Sequence, residues 1–233
     1  MSGSSDSLAA QAQPGRRPRG RPPRIDREQV ITAALQLLDD VGLDALTMRR
    51  LASALDVQVG TLYGYFVTKR ALLSSMAESM LTGCGEPLPP DLEWADQVVE
   101  LSRRMRRALL RFRDGARVYA GIHAAGPNTL TFSDMFIGVM CASGMRVDDA
   151  TRATFTIIRF IIGHALEEQA VAHASDDDMA ADLDAVRTAV ESGNYPNLSH
   201  IAPLISGTDF NIYFEFGVRM LVRGLGDLSS ART

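Results

Sequence analysis

The sequence predicts an all-α fold in two domains, and three observations carry that reading. Apolar residues recur at spacings of three and four, the period of a helix buried along one face, with no strand-like alternation. Cap residues stand ahead of the apolar runs: Asp26 with Gln29 behind it, then Thr47, then Thr68. A Gly/Pro stretch, GCGEPLPPD at 83–91, breaks the helical pattern and marks a boundary. The expected organisation is an arm at 1–23, a domain at 24–84 and a second domain at 91–228.

The arm runs from Ser/Ala/Gln into Pro/Gly/Arg and has nothing to bury, so it is expected to be disordered when free. Asp26 and Gln29 form a capping box for the first helix, and Ile25 and Val30 form its hydrophobic staple. Val30, Ile31, Ala34, Leu35, Leu38 and Val41 share one face, and Gly42 ends the helix. Thr47 caps a second helix with Leu51, Ala54 and Leu55 inward. Asp56 and Val57 make a tight turn into a third helix at 58–66. Thr68 caps a fourth, with Leu72, Leu73, Met76 and Met80 inward, ending near Gly83. Beyond the boundary, helices are expected at 92–113, 127–143, 147–174, 179–191 and 208–225, with a short one near 117–123. The acidic run 176–178 and the stretch 193–207 read as connections.

Composition narrows the function classes. At 46% apolar the chain can build a core, yet no run of 18 apolar residues appears, so no transmembrane span is expected. No apolar segment follows the N-terminal charges, so no signal peptide is expected. Cys84 and Cys141 lie far apart without metal-ligand spacing and read as ordinary thiols of a cytoplasmic protein. Residues 1–24 hold five arginines against one acid, a local charge of +4, so the remainder carries −8 of a whole-chain −4. A uniformly basic coat is excluded, and a basic arm is not.

The third helix poses the functional question. Gly60 and Gly64 each cost about 1 kcal/mol against alanine, and Tyr63, Tyr65 and Phe66 crowd into one turn. Two short helices joined by a tight turn and braced by a longer one describe a helix-turn-helix, spanning 47–66, whose second short helix enters the DNA major groove. Small residues let that helix approach DNA closely. Leu62 and Phe66 point inward, leaving Gln58, Val59, Gly60, Thr61, Tyr63 and Tyr65 outside. Gln58 and Arg49 suit base edges, Val59 and Thr61 a thymine methyl, and Tyr63 and Tyr65 phosphates, with simple packing the plainer reading of the two tyrosines. Thr47 and Lys69 sit at helix N-termini, where free N–H groups favour phosphate. In the arm, Arg19 and Arg21 within PRGRP suit an A·T minor groove; a merely solvated tail is the plainer reading.

Residues 25–81 resemble the DNA-binding domain of the TetR family of bacterial repressors. The first helix ended by Gly42, the Leu46-Thr47 start, and Thr61-Leu62-Tyr63 followed by Phe66 and Lys69 carry the likeness. Aspartate at 56 stands where the family usually has glycine, and aspartate tolerates a left-handed turn. ALLRFRDGARVYAG (108–121), GHALEEQAVAH (163–173) and FEFGVRMLVRGL (214–225) resemble the C-terminal domain of the tetracycline-responsive members. The resemblance implies a double-stranded DNA operator, a small-molecule effector, and a homodimer joined through the helices at 147–174 and 208–225. Two apolar stripes fit such a bundle: Phe155, Ile158, Ile162 and Leu166, and Phe210, Phe214, Gly217 and Leu221.

One departure bears on the effector. A histidine, a threonine three residues later and a glutamate help hold magnesium–tetracycline in those members. Their positions fall on Tyr119, Ile122 and Glu167. A neutral phenol is a poor magnesium ligand, so no metal and no cofactor are expected. The expected site comprises Tyr119, His123 and Glu167 with Met105, Phe112, Met135 and Phe136, suited to an aromatic or polyketide-like molecule.

Plainer readings compete with parts of this. Met105, Met135, Met140 and Met145 serve cores more often than pockets. Arg103, Arg104, Arg106 and Arg107 could be a second DNA contact and read more plainly as a solvated helix face pairing with the acidic surface. His164, Glu167, Glu168 and His173 lack the paired Glu-x-x-His of a di-iron site. A regulator without an effector, or one that activates, is the alternative within the class. A helical enzyme is the rival outside it, and no nucleophile–base pair, phosphate loop or metal cluster in the sequence supports it.

Overall fold

The computed structural model describes residues 25–122, 124–199 and 209–230. Arg19, Arg21 and His123 therefore lie outside the described residues. Eleven helices appear among those described. The first four are α1 (Arg27–Ala45), α2 (Met48–Ala54), α3 (Val59–Tyr65) and α4 (Lys69–Met80). Then follow α5 (Trp94–Leu110), α6 (Gly115–Ala120), α7 (Pro127–Ala142) and α8 (Val147–His173). The last are α9 (Asp176–Glu191), α10 (Pro196–Ser199) and α11 (Phe210–Ser230).

The N-terminal caps form as the sequence requires. Gln29 N–H donates to Asp26 Oδ1 (2.8 Å), and Asp26 N–H donates to Gln29 Oε1 (3.0 Å). Thr47 and Thr68 each accept from the third residue beyond. Gly42, at φ +75°, interrupts α1, and the last turn resumes beyond it. Asp56 takes φ +51° in the turn between α2 and α3. The inner face of α2 is Met48, Leu51 and Ala52; Ala54 is exposed, because at helical spacing it falls off the face those three share.

Two hydrophobic cores result. Val30, Ala34, Leu38, Leu46, Leu51, Leu62, Phe66, Leu72 and Met76 fill the first. The second joins α5 (Leu101, Met105, Leu109), α7 (Phe132, Phe136, Met140), α8 (Ile157, Ile161, Ala165) and α11 (Phe214, Val218, Val222). Helix α6 belongs to both: Val118 is buried in the first core and Ala116 in the second.

Several expectations shift. Helix α5 ends at Leu110, and Asp114, at φ +57°, turns the chain into α6. The run 176–178 forms the first turn of α9. The stretch 193–207 includes α10. The four arginines of α5 all bear ion pairs. Arg106 is buried and gives a bidentate pair to Glu168 (both 2.9 Å), with Asn211 as its second partner. Arg103 pairs with Glu215, and Arg104 and Arg107 pair with Glu100.

Candidate nucleic-acid interface and effector site

The outer face of α3 is open. Gln58 occupies the N-cap position and makes no cap hydrogen bond there, so its amide is free to reach outward. Gln58, Gly60, Thr61, Tyr63 and Gly64 are exposed, while Leu62 is fully buried. A Cβ added to Gly60 or Gly64 would meet nothing within 4 Å. Those glycines thus serve no packing need within the protomer. Thr47 and Arg49 are exposed beside this face, and Lys69 is half-buried at the first turn of α4. Val59 is half-buried against the first core.

Tyr65 departs from its expected role. Its hydroxyl donates to the Ile25 carbonyl, tying the end of α3 to the entry of α1. The phenolic proton is committed there and is not available to a phosphate. Spacing alone put Tyr65 outside; the long phenol curls back across the short helix.

The expected effector residues divide among three places. Met105 and Phe136 are fully buried in the second core, and Met135 lines it. Phe112 instead packs against the first core, under the Arg111 guanidinium at 5.4 Å, because the chain turns after α5 ends. Glu167 is exposed on α8 rather than enclosed with the others. Tyr119 touches both cores, and burial pushes its phenol up to about 12. It therefore stays neutral at physiological pH and offers no anionic ligand to a metal. Among the described residues no group of three metal-ligating side chains assembles.

The junction between the cores was not foreseen. Leu43 N–H donates to Asp114 Oδ2 (2.8 Å), and Arg113 N–H donates to Asp39 Oδ1 (2.7 Å). Arg117 bridges Asp114 and Asp44. Burial raises the Asp114 carboxyl, but the Leu43 amide and Arg117 outweigh it and hold it below the usual carboxylate range. Gly42 faces this turn, and a Cβ there would stand 3.0 Å from Asp114 Oδ2. On the other side, the Glu78 carboxylate of α4 receives the Asn128 N–H, the Thr129 N–H (3.2 Å) and the Thr129 hydroxyl (2.7 Å). The Asp114-Gly115 pair was the available sequence signal for the first contact. The second had none, since Glu78 sits at an ordinary helical position.

The apolar stripes also need correction. Phe214, Gly217 and Ile158 are buried inside the protomer. A Cβ on Gly217 would stand 2.4 Å from the Phe160 ring, so this glycine admits a neighbouring helix of its own chain. Phe210, Leu221 and Ile162 are half-buried, and Phe155 is exposed. The outward row of α11 is instead Ile212, Tyr213, Phe216 and Met220, each more than half exposed. Apolar residues cover nearly the whole circumference of α11, so periodicity alone did not single out its outer face. No described helix is long and apolar enough to cross a membrane.

Known proteins share this architecture. The chain matches the model for bacterial regulatory proteins of the tetR family over residues 30–76. It matches the tetracyclin repressor-like C-terminal domain over residues 86–228. It is 36% identical over 204 residues to the class C tetracycline repressor protein of Escherichia coli, covering 87% of this chain and 91% of that one. A possible TetR family transcriptional regulator from Streptomyces coelicolor A3(2) is 45% identical, with a TM-score of 0.79 over 87% of this chain and 100% of that one. The TetR family protein ActR of Streptomyces coelicolor, solved with actinorhodin, is 29% identical, with a TM-score of 0.79 over 88% of this chain and 99% of that one. With both domains matched, the chain belongs to the TetR family of ligand-responsive, DNA-binding transcriptional repressors.

Proposed function

We propose that this repressor binds a palindromic operator as a homodimer and is released by a planar, largely apolar aromatic effector without a metal. The outer face of α3 carries the DNA half of the reading: small and polar residues exposed over a buried Leu62. Arg49 and Gln58 read bases there, and Thr47, Tyr63 and Lys69 hold phosphates. The exposed row of α11, with Phe155 on α8, forms the self-complementary interface of a dimer. The chain is not an enzyme in this reading. Its soluble, cytoplasmic setting follows from its work on DNA.

Tyr119 supports the effector class. It stands where the resemblance puts a metal-binding histidine, its phenol is neutral, and, like Met135, it packs against the second core. An aromatic face with a single hydroxyl suits a polyketide-like molecule. The names of two relatives, a tetracycline repressor and a regulator solved with actinorhodin, point to planar polycyclic ligands. The test is anisotropy of labelled upstream DNA during titration with tetracycline and with quinone polyketides, in magnesium and in chelator. Release by a planar compound in chelator, lost in Tyr119→Ala, is expected. Release by tetracycline only when magnesium is present would overturn the metal-free reading.

A further inference from the structure

Helix α7 begins without a cap of its own. Its N-cap is Gly126, which has no side chain to receive the free amides of the first turn. Glu78 supplies the missing acceptor from another domain. One carboxylate oxygen takes the Asn128 N–H, and the other takes the Thr129 N–H and hydroxyl. Asn128 returns its amide to the Glu78 carbonyl (3.1 Å) and to Thr82 Oγ1 (3.2 Å). Gly126 is required for this fit, since a Cβ there would stand 2.4 Å from the Glu78 Cδ. Its backbone, at φ −87° and ψ 178°, is the ordinary extended N-cap conformation and would accept serine.

Helix α4 joins the two halves of the protein. Lys69 at its start adjoins the recognition helix, and Glu78 lies near its end. The junction is open in two places, one beside Glu78 and one away from it. A cleft of about 570 Å³ lies between Arg27, Ser75 and Asn128, and a second of about 400 Å³ lies between Lys69, Arg117 and Ile122. Leu72, Met76, Ala77 and Met80 seat α4 in the first core, so the contacts made across the boundary, Glu78 among them, set its angle to the second. Tyr119, in the proposed effector site, neighbours Thr129 and feels the Glu78 charge.

We propose that Glu78 is a positioning residue: by capping α7 across the domain boundary it fixes the angle of α4, and so links the effector site to operator affinity. The second half of this statement rests on the repressor reading; the first does not. Glu78→Ala removes both the cap and the tie. Gly126→Ser gives α7 a local cap while expelling the Glu78 carboxylate, so it separates helix stability from α4 position. Spin labels at Val67→Cys, in the turn before α4, and Val147→Cys, at the start of α8, both exposed, report the distance from the first domain to the second. The background is Cys141→Ser, with the buried Cys84 out of the label's reach.

In both variants the distance distribution should broaden and operator affinity should fall about tenfold, the scale of a lost charged hydrogen-bond pair. Exchange of the Asn128 and Thr129 amides should accelerate in Glu78→Ala only. A narrow, unshifted distance in Gly126→Ser would overturn the proposal and leave Glu78 a plain helix cap. Broadening in a protein whose parent binds no upstream DNA would uphold the positioning role and sink the repressor reading instead.

Discussion

Two exposed faces of this molecule, the outer sides of α3 and α11, solve opposite problems. On α3 the exposed residues are small or polar: Gln58, Gly60, Thr61, Tyr63 and Gly64. On α11 they are large and apolar: Ile212, Tyr213, Phe216 and Met220. A polyanion is met by close approach and by donors, and glycine permits the first. In the proposed dimer, a second copy of the same chain is met by apolar burial, at about 25 cal/mol per Å². The difference also explains stability. Helix α3 has seven residues and leans on Leu62 and Phe66, both buried in the first core. Helix α11 has 21 residues and a continuous inner row from Phe214 to Val222.

The strongest way to break the contrast is to put charge on the apolar face. Phe216→Arg should convert the dimer to a monomer in sedimentation analysis. Operator affinity should then fall on the order of a hundredfold or more, because each half-site loses the benefit of its linked neighbour. The inner row is untouched, so the helical signal should persist. A dimer that survives Phe216→Arg would remove α11 from the interface.

A smaller effect is expected on α3 and α4. Lys69→Ala should weaken operator binding and reduce the salt slope by about one counterion. Tyr63→Phe should weaken it equally on matched and mutated operators, without changing the dimer. Arg49→Ala and Gln58→Ala should instead relax preference at individual base pairs, by about 1–3 kcal/mol each. Retained base preference in both would move direct readout elsewhere.

Much of this was legible in the sequence because it is local. A cap binds residues two or three places away, so Asp26, Thr47 and Thr68 marked their helices correctly. Leu62 and Phe66 lie four apart and point the same way, as read. What escaped is what depends on two elements meeting. Arg106 looked solvated until α8 and α11 brought Glu168 and Asn211 to it. Phe214 looked like interface until α5 and α8 closed over it. Glu78 carried no mark, because its partner lies fifty residues away.

Tyr65 tests that distinction at a single atom. Tyr65→Phe should cost about 1 kcal/mol of stability, the worth of one hydrogen bond to the Ile25 carbonyl. Operator affinity should stay within about twofold, since losing one committed donor removes no phosphate contact. Tyr63→Phe should do the reverse, sparing stability and losing affinity. Thermal unfolding beside anisotropy separates the two tyrosines, and equal losses of affinity would return Tyr65 to the DNA face.

The mildest expected difference between the two regions is their response to acid. His164 lies on α8 among the rings of Phe160, Phe210 and Phe214, at 5.2 to 5.8 Å. Its Nδ1 is buried without a hydrogen-bond partner, 3.8 Å from Glu168 Oε2. Burial, and then the Arg106 guanidinium on α5, hold its pKa below the usual 6.5, against the opposing pull of Glu168 and Glu167. The unfolded chain therefore binds the proton more readily than the folded one. Stability from this site is complete above about pH 6.5 and is lost as the pH falls below it, by at most about 1.4 kcal/mol per pH unit. The described part of the N-terminal domain contains no histidine. Between pH 7.5 and 5, protection of the α8 and α11 amides, taken relative to the intrinsic exchange rate at each pH, should fall while that of α1 and α4 stays level. His164→Phe keeps an aromatic ring in place and removes the titrating group, so it should flatten the pH dependence. An unchanged slope in that variant would show that the acid response of these helices arises from other groups.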